Sequence, residues 1–171
     1  MKFIKNIVFF NFFIFFFSFL VLAEEKGPKK LGKFEYWNVY AKSKNLCYMI
    51  AQPINSEGDY TIRGKVRTVI YRNSTEKDNK NVLGIDFGYS FPENGKALIE
   101  IDKRKSFELS TFAETAWTNS QKKTDKEIIN EMIKGSTLIA FGKSKRGTDT
   151  KDTYSLKGFS KAFKKIKDYC G

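Results

Sequence analysis

From residue 34 onward the chain is a succession of short aromatic and β-branched runs, each cut off by a turn-forming segment within a few residues. Residues 34–40 and 46–51 form the first pair, with Lys42-Ser43-Lys44-Asn45 between them, and predict an opening hairpin. Further runs recur at 66–71, 82–87, 97–101, 107–109, 112–117, 138–141 and 153–156. The separators are rich in Gly, Asn, Asp, Ser and charge, as in Pro92-Glu93-Asn94-Gly95 and Asp102-Lys103-Arg104-Lys105. A parallel sheet needs long helical crossovers between its strands, and spacings this short leave no room for them. The pattern therefore predicts a mainly β fold, an antiparallel sandwich or barrel.

Two segments break the pattern with helical spacing. Thr124-Asp125-Lys126-Glu127 fits a capping box, Ile128, Ile129, Met132 and Ile133 follow on one face, and Gly135 stands where a left-handed C-cap is wanted. The second helix starts near Ser160 and presents Phe159, Phe163, Ile166 and Cys170 on one side, with Lys161, Lys164, Lys165 and Lys167 on the rest. Such a basic amphipathic helix either packs on a sheet or lies on a membrane. At barely three turns it needs tertiary support, which favours packing.

The chain opens with Lys2 and Lys5, then an apolar, Phe-rich stretch at 7–22 that ends in Val21-Leu22-Ala23 before Glu24 and Glu25. This is the layout of a secretory signal peptide over residues 1–23, cleaved after Ala23. The apolar run is shorter than the roughly 20 residues that span a bilayer as a helix, which weighs against an uncleaved anchor. Residues 24–33, charged and carrying Gly27, Pro28 and Gly32, read as a flexible lead-in, and 34–171 as one domain. The chain has 31 basic and 19 acidic residues, and with Lys2 and Lys5 removed its net charge is +10. Anionic polymers and lipid headgroups are attracted to such a field. All but Arg63, Arg67, Arg72, Arg104 and Arg146 of the basic residues are lysine, which suits diffuse attraction better than bidentate phosphate recognition, so no specific nucleic-acid partner is expected.

The sequence contains no histidine, so Ser-His-Asp and Cys-His catalytic systems are excluded. Its two cysteines cannot furnish a closed zinc site. In an exported chain Cys47 and Cys170 are expected to form a disulfide in an oxidising compartment; two free thiols are the other reading. Gly142-Lys143-Ser144 lacks the upstream glycine of a phosphate-binding loop, since position 137 is Thr. The carboxylates Asp86, Glu100, Asp102, Glu114 and Asp152 are the candidates for a carboxylate-only glycan hydrolase, but scattered acids are usually solvated surface. The aromatic residues Tyr36, Trp37, Tyr40, Tyr48, Phe87, Tyr89, Phe91 and Trp117 read as core.

Three stretches resemble the invasion-associated locus B family of bacterial envelope proteins: Trp37-Asn38-Val39 with Leu46-Cys47-Tyr48-Met49; Met132-Ile133-Lys134-Gly135 leading into residues 138–141; and Arg146-Gly147-Thr148 through Asp152-Thr153-Tyr154-Ser155-Leu156-Lys157-Gly158-Phe159 to Cys170. The resemblance implies an immunoglobulin-like antiparallel β-sandwich with two short helices, one at the C-terminus, in the periplasm or outer envelope. It implies a non-enzymatic protein that binds an envelope or host partner, with no catalytic residue, cofactor or metal. The basic charge supports another reading, a cationic binder of anionic envelope polymers or lipids.

Overall fold

In the computed structural model, residues 27–77, 81–118 and 122–171 are described; the expected leader, Glu24 and Glu25 lie outside them. The fold is mainly β, with eleven antiparallel strands and two helices among the described residues, one of the helices C-terminal. The strands are β1 (Lys29–Phe34), β2 (Trp37–Ala41), β3 (Leu46–Ala51), β4 (Asn55–Gly58), β5 (Arg67–Asn73), β6 (Asn81–Asp86), β7 (Lys96–Ile101), β8 (Lys105–Phe112), β9 (Thr115–Thr118), β10 (Thr137–Lys143) and β11 (Asp149–Ser155). The helices are α1 (Lys122–Lys134) and α2 (Phe159–Cys170). Hydrogen bonding runs unbroken in the order β1-β2-β3-β5-β6-β9-β8-β7-β10-β11-β4, so the leaves of the sandwich belong to one sheet that doubles over a shared core.

Period-two alternation decides which side chains enter that core. Trp37 and Val39, Cys47 and Met49, Ile70, Leu83 and Ile85, Ile99 and Ile101, Leu109, Leu138 and Ala140 point inward and are buried together. The expected hairpin of β2 and β3 forms, with Tyr40 opposite Tyr48. The aromatic residues divide by this parity. Trp37, Phe87 and Phe91 are core, whereas Tyr40, Tyr48, Tyr71 and Trp117 take the opposite phase and make a half-buried row on the outer face. Neighbouring ring centres in that row are 5.3, 5.9 and 6.0 Å apart. Trp117 lies over Gly84, where an added Cβ would come within 2.6 Å of the indole.

Part of the expected flexible lead-in is structured. Residues 29–34 are the edge strand β1, paired with β2 through a register shift between Lys30 and Gly32. An edge strand tolerates lysines because one margin and one face stay in water. Two expected runs are each cut by a turn, residues 34–40 at Glu35 (φ 51°) and 112–117 at Ala113 (φ 53°). Helix α1 begins at Lys122, so Thr124 stands inside the helix and not at its cap.

Helix α2 packs its apolar face on the sheet as expected, burying Phe159, Ala162, Phe163, Ile166 and Cys170. Phe159 meets the edge of Trp37 at 4.9 Å, and the Trp37 Nε1–H donates to Ser155 O at 3.1 Å. Burying Phe159, Phe163 and Ile166 is worth roughly 1.5–3 kcal/mol each. Cys170 is bonded to Cys47 on β3 across 123 residues. Beside the bridge, the Arg72 guanidinium donates to the Gly171 carbonyl.

Candidate functional site: a polar cleft over a buried ion pair

The inward row of β11 is polar: Thr150, Asp152 and Tyr154 are 4 %, 0 % and 0 % exposed. A carboxylate without water needs a counter-charge and hydrogen bonds. Arg63, from the loop joining β4 and β5, supplies both. Its Nη1 and Nη2 donate to Asp152 Oδ1 and Oδ2 at 2.8 and 2.6 Å, its Nε donates to Phe87 O at 2.6 Å, and the Ser56 hydroxyl adds a 2.7 Å bond to Oδ1. The side chains are 5 % and 0 % exposed. The guanidinium is flanked by the rings of Tyr60 and Tyr89, with centroids 5.3 and 5.1 Å away. Burial works against the charge on Arg63, and the bonds and charge of Asp152 more than offset it, so its pKa is raised. Burial pushes the Tyr154 hydroxyl well above its ordinary value, reinforced by Asp152, and among the described residues that hydroxyl has no partner.

Three loops held around this pair enclose a cleft of about 700 Å³. Loop 59–66 carries Asp59, Tyr60, Ile62 and Arg63; the segment after β6 carries Gly88, Tyr89 and Ser90; the β10–β11 turn carries Ser144, Lys145, Arg146 and Thr148. They are bonded to one another: Gly64 N–H donates to Gly88 O at 2.8 Å, and Lys145 N–H to Ser90 O at 2.8 Å. Gly88 permits the first approach, since it sits at φ 69° and a Cβ would come within 2.6 Å of Gly64 O. The Tyr89 hydroxyl reaches Thr150 Oγ1 at 2.7 Å. Tyr89 has a raised pKa from burial, held back by Thr150 and Arg63. At the rim, Lys145 and Arg146 are exposed and make no ion pair among the described residues, while Ile62 is 91 % exposed. The cleft thus combines a neutralised, rigid floor with two exposed cations and an exposed aliphatic side chain.

Of the five acids considered from the sequence, Asp152 is the one beneath this cleft, and it is buried rather than solvated. Asp86 is held on β6 by Arg67 Nε at 2.6 Å and the Thr115 hydroxyl at 2.8 Å. Asp102 accepts the amides of Ser136 and Thr137 at 3.0 and 2.9 Å. Its pKa is lowered, the Ser136 amide being the first cause. Glu100 is on β7 opposite Ile139, and Glu114 is in the β8–β9 turn. Cys47 and Cys170 meet as expected. The sequence reading missed Arg63 and the inward direction of Asp152. The second was recoverable, because stepping back by twos from buried Tyr154 lands on Asp152 and Thr150.

A β-sandwich with a disulfide-tied C-terminal helix is the class of protein this geometry describes. The family model of the invasion associated locus B protein matches residues 38–167. The chain belongs to that family. No curated protein and no solved structure gives a significant match.

Proposed function

We propose that this chain is an exported, non-enzymatic protein of the bacterial envelope, periplasmic or at the outer envelope, that works by binding an envelope or host-cell protein. The observation that carries this reading is the cleft over Arg63 and Asp152. Its acid is tied to two Arg63 nitrogens and to Ser56, an arrangement suited to holding loops still and not to exchanging protons. Its rim offers Ile62, Lys145 and Arg146 to a partner, the mixture of apolar anchor and charge that protein interfaces use. Export is supported by the leader-like residues 1–23 and by the disulfide. A photo-reactive residue at position 62 is expected to cross-link one discrete species in living cells, and the same residue at Ile133, 39 % exposed on α1 and not part of the cleft lining, is not. Turnover of envelope glycans or peptides by the purified protein refutes the reading. Binding to anionic envelope polymers or lipids is the second reading, favoured by the solvent side of α2, where Lys161, Lys164 and Lys167 are exposed.

A further inference from the structure

Cross-strand register carries one line of aromatic rings over the outer face of the sheet. Lys30 lies opposite Tyr40, Tyr40 opposite Tyr48, and Tyr48 opposite Tyr71. On the next strands Gly84 is opposite Trp117, and Trp117 opposite Ser110. Phe112, two residues past Ser110, therefore shares this face, and it is 80 % exposed. Because Gly84 puts no side chain beneath it, the indole of Trp117 settles on the backbone and turns its other face to water. Tyr71 tilts from the indole by 33° at 6.0 Å, while Tyr40 and Tyr48 are offset-stacked at 21° and 5.3 Å. Both helices bury their apolar sides in the core, so among the described residues no helix covers this line. The acids beside the rings are already engaged: Arg67 holds Asp86 at 2.6 Å and Lys96 holds Glu108 at 2.7 Å. At the β1 end, Lys30 and Lys33, opposite Tyr40 and Asn38, are exposed and pair with no acid among the described residues. The strip thus joins half-buried rings to unpaired positive charge at one end.

We propose that this strip binds a linear acidic glycan, a chain in which only some of the sugars carry a negative group. A pyranose has an apolar face of C–H bonds and a rim of hydroxyls, so it lies against an aromatic ring while bonding to amides and hydroxyls alongside. Asn38, Asn73 and Ser110 stand on the same face beside the rings and supply those groups. From Tyr40 to Trp117 the line crosses five neighbouring strands, roughly 19 Å, which suits several linked sugars better than one. A single-stranded nucleic acid would bring a phosphate at every unit and need cations along the whole line, whereas the lysines stand at one end. A bilayer is the poorer fit as well, since apart from Phe112 the rings are half-buried and leave little to insert. The proposal rests on the polymer form of the second reading, gives it a site, and makes no use of the cleft.

The test titrates fluorescein-labelled alginate oligomers with protein purified from the cells that make it, followed by anisotropy. Binding that weakens with salt is expected, with no competition from neutral dextran. Trp37 is sealed in the core, so unlabelled alginate is expected to change the emission of Trp117 alone. The variant W117A is expected to weaken binding about tenfold. F112A, which takes a ring from solvent and not from the core, is expected to weaken it severalfold with an unchanged melting temperature, and it decides the matter where W117A does not fold. K30Q/K33Q is expected to flatten the salt dependence, and K126Q/K134Q, which removes equal charge from exposed sites on α1, to preserve it. Alginate binding that survives both ring variants overturns the strip as the site and leaves the second reading standing; failure of alginate to bind removes both. Tighter binding of a single-stranded oligodeoxynucleotide of equal charge also overturns the proposal, as does retention on phosphatidylglycerol vesicles without binding to alginate.

Discussion

Replacing Arg63 by alanine isolates the energetic role of the buried pair. The substitution removes three hydrogen bonds of 2.6–2.8 Å and leaves Asp152, 0 % exposed, with only the Ser56 hydroxyl. Removing one partner of a buried pair typically costs about 3–5 kcal/mol, because the surviving charge is stranded away from water. For a domain of this size each kcal/mol lowers Tm by roughly 2–4 °C, so R63A should melt about 6–20 °C below the parent. Urea unfolding followed by tryptophan fluorescence gives the free energy directly. Trypsin gives the location: Lys65 lies in the loop that Arg63 pins, and cleavage there should accelerate selectively in R63A. The double variant R63M/D152L removes both charges and should recover much of the loss, since apolar replacement of a buried pair is often neutral or better. A cost below about 1 kcal/mol for R63A, or a double variant as costly as the summed singles, would falsify the reasoning.

Three other perturbations follow from the structure. Converting Cys47 and Cys170 to serine opens a 123-residue loop and should cost roughly 4–5 kcal/mol by the chain-entropy account, seen as a lower Tm that reductant no longer affects. Asp102 has a folded pKa below the ordinary 3.8, so its contribution is present above that value and disappears as pH falls through the lower folded value; D102N should flatten the acid limb of stability below about pH 4, measured by urea unfolding at stepped pH. G158A places a methyl group against the Phe34 carbonyl at a residue with φ 90°, and should loosen β1 from α2, measured as faster amide exchange across residues 29–34.

The strands legible from the sequence were those with one face in the core, because burial writes a period of two into residues such as Met49 and Ile70 or Ile99 and Ile101. Strands β1 and β4 were hidden for the complementary reason. β1 is an edge whose lysines face water, and β4 is exposed at all four positions, so neither needs an apolar rhythm. Turns divided by chemistry. The reversals at Asn94 and at Asp102-Lys103 lie in segments whose Asn and Asp tolerate positive φ, whereas Glu35 and Ala113 adopt it with no residue preference to announce them. Arg63 belongs to the same category: a loop arginine pairing with an acid 89 residues away leaves no local trace.

The link between Cys47 and Cys170 also decides how this protein carries mechanical load. A pull that enters ahead of β1 and leaves beyond α2 can peel away residues 29–46, the strand pair outside the covalent ring. Force then crosses from sulfur to sulfur and bypasses everything between. Roughly 40 nm of contour length stays out of reach until the bond is reduced. Tugged by its two ends, the molecule should yield a short first extension and then stiffen, with the cleft and its loops under no tension.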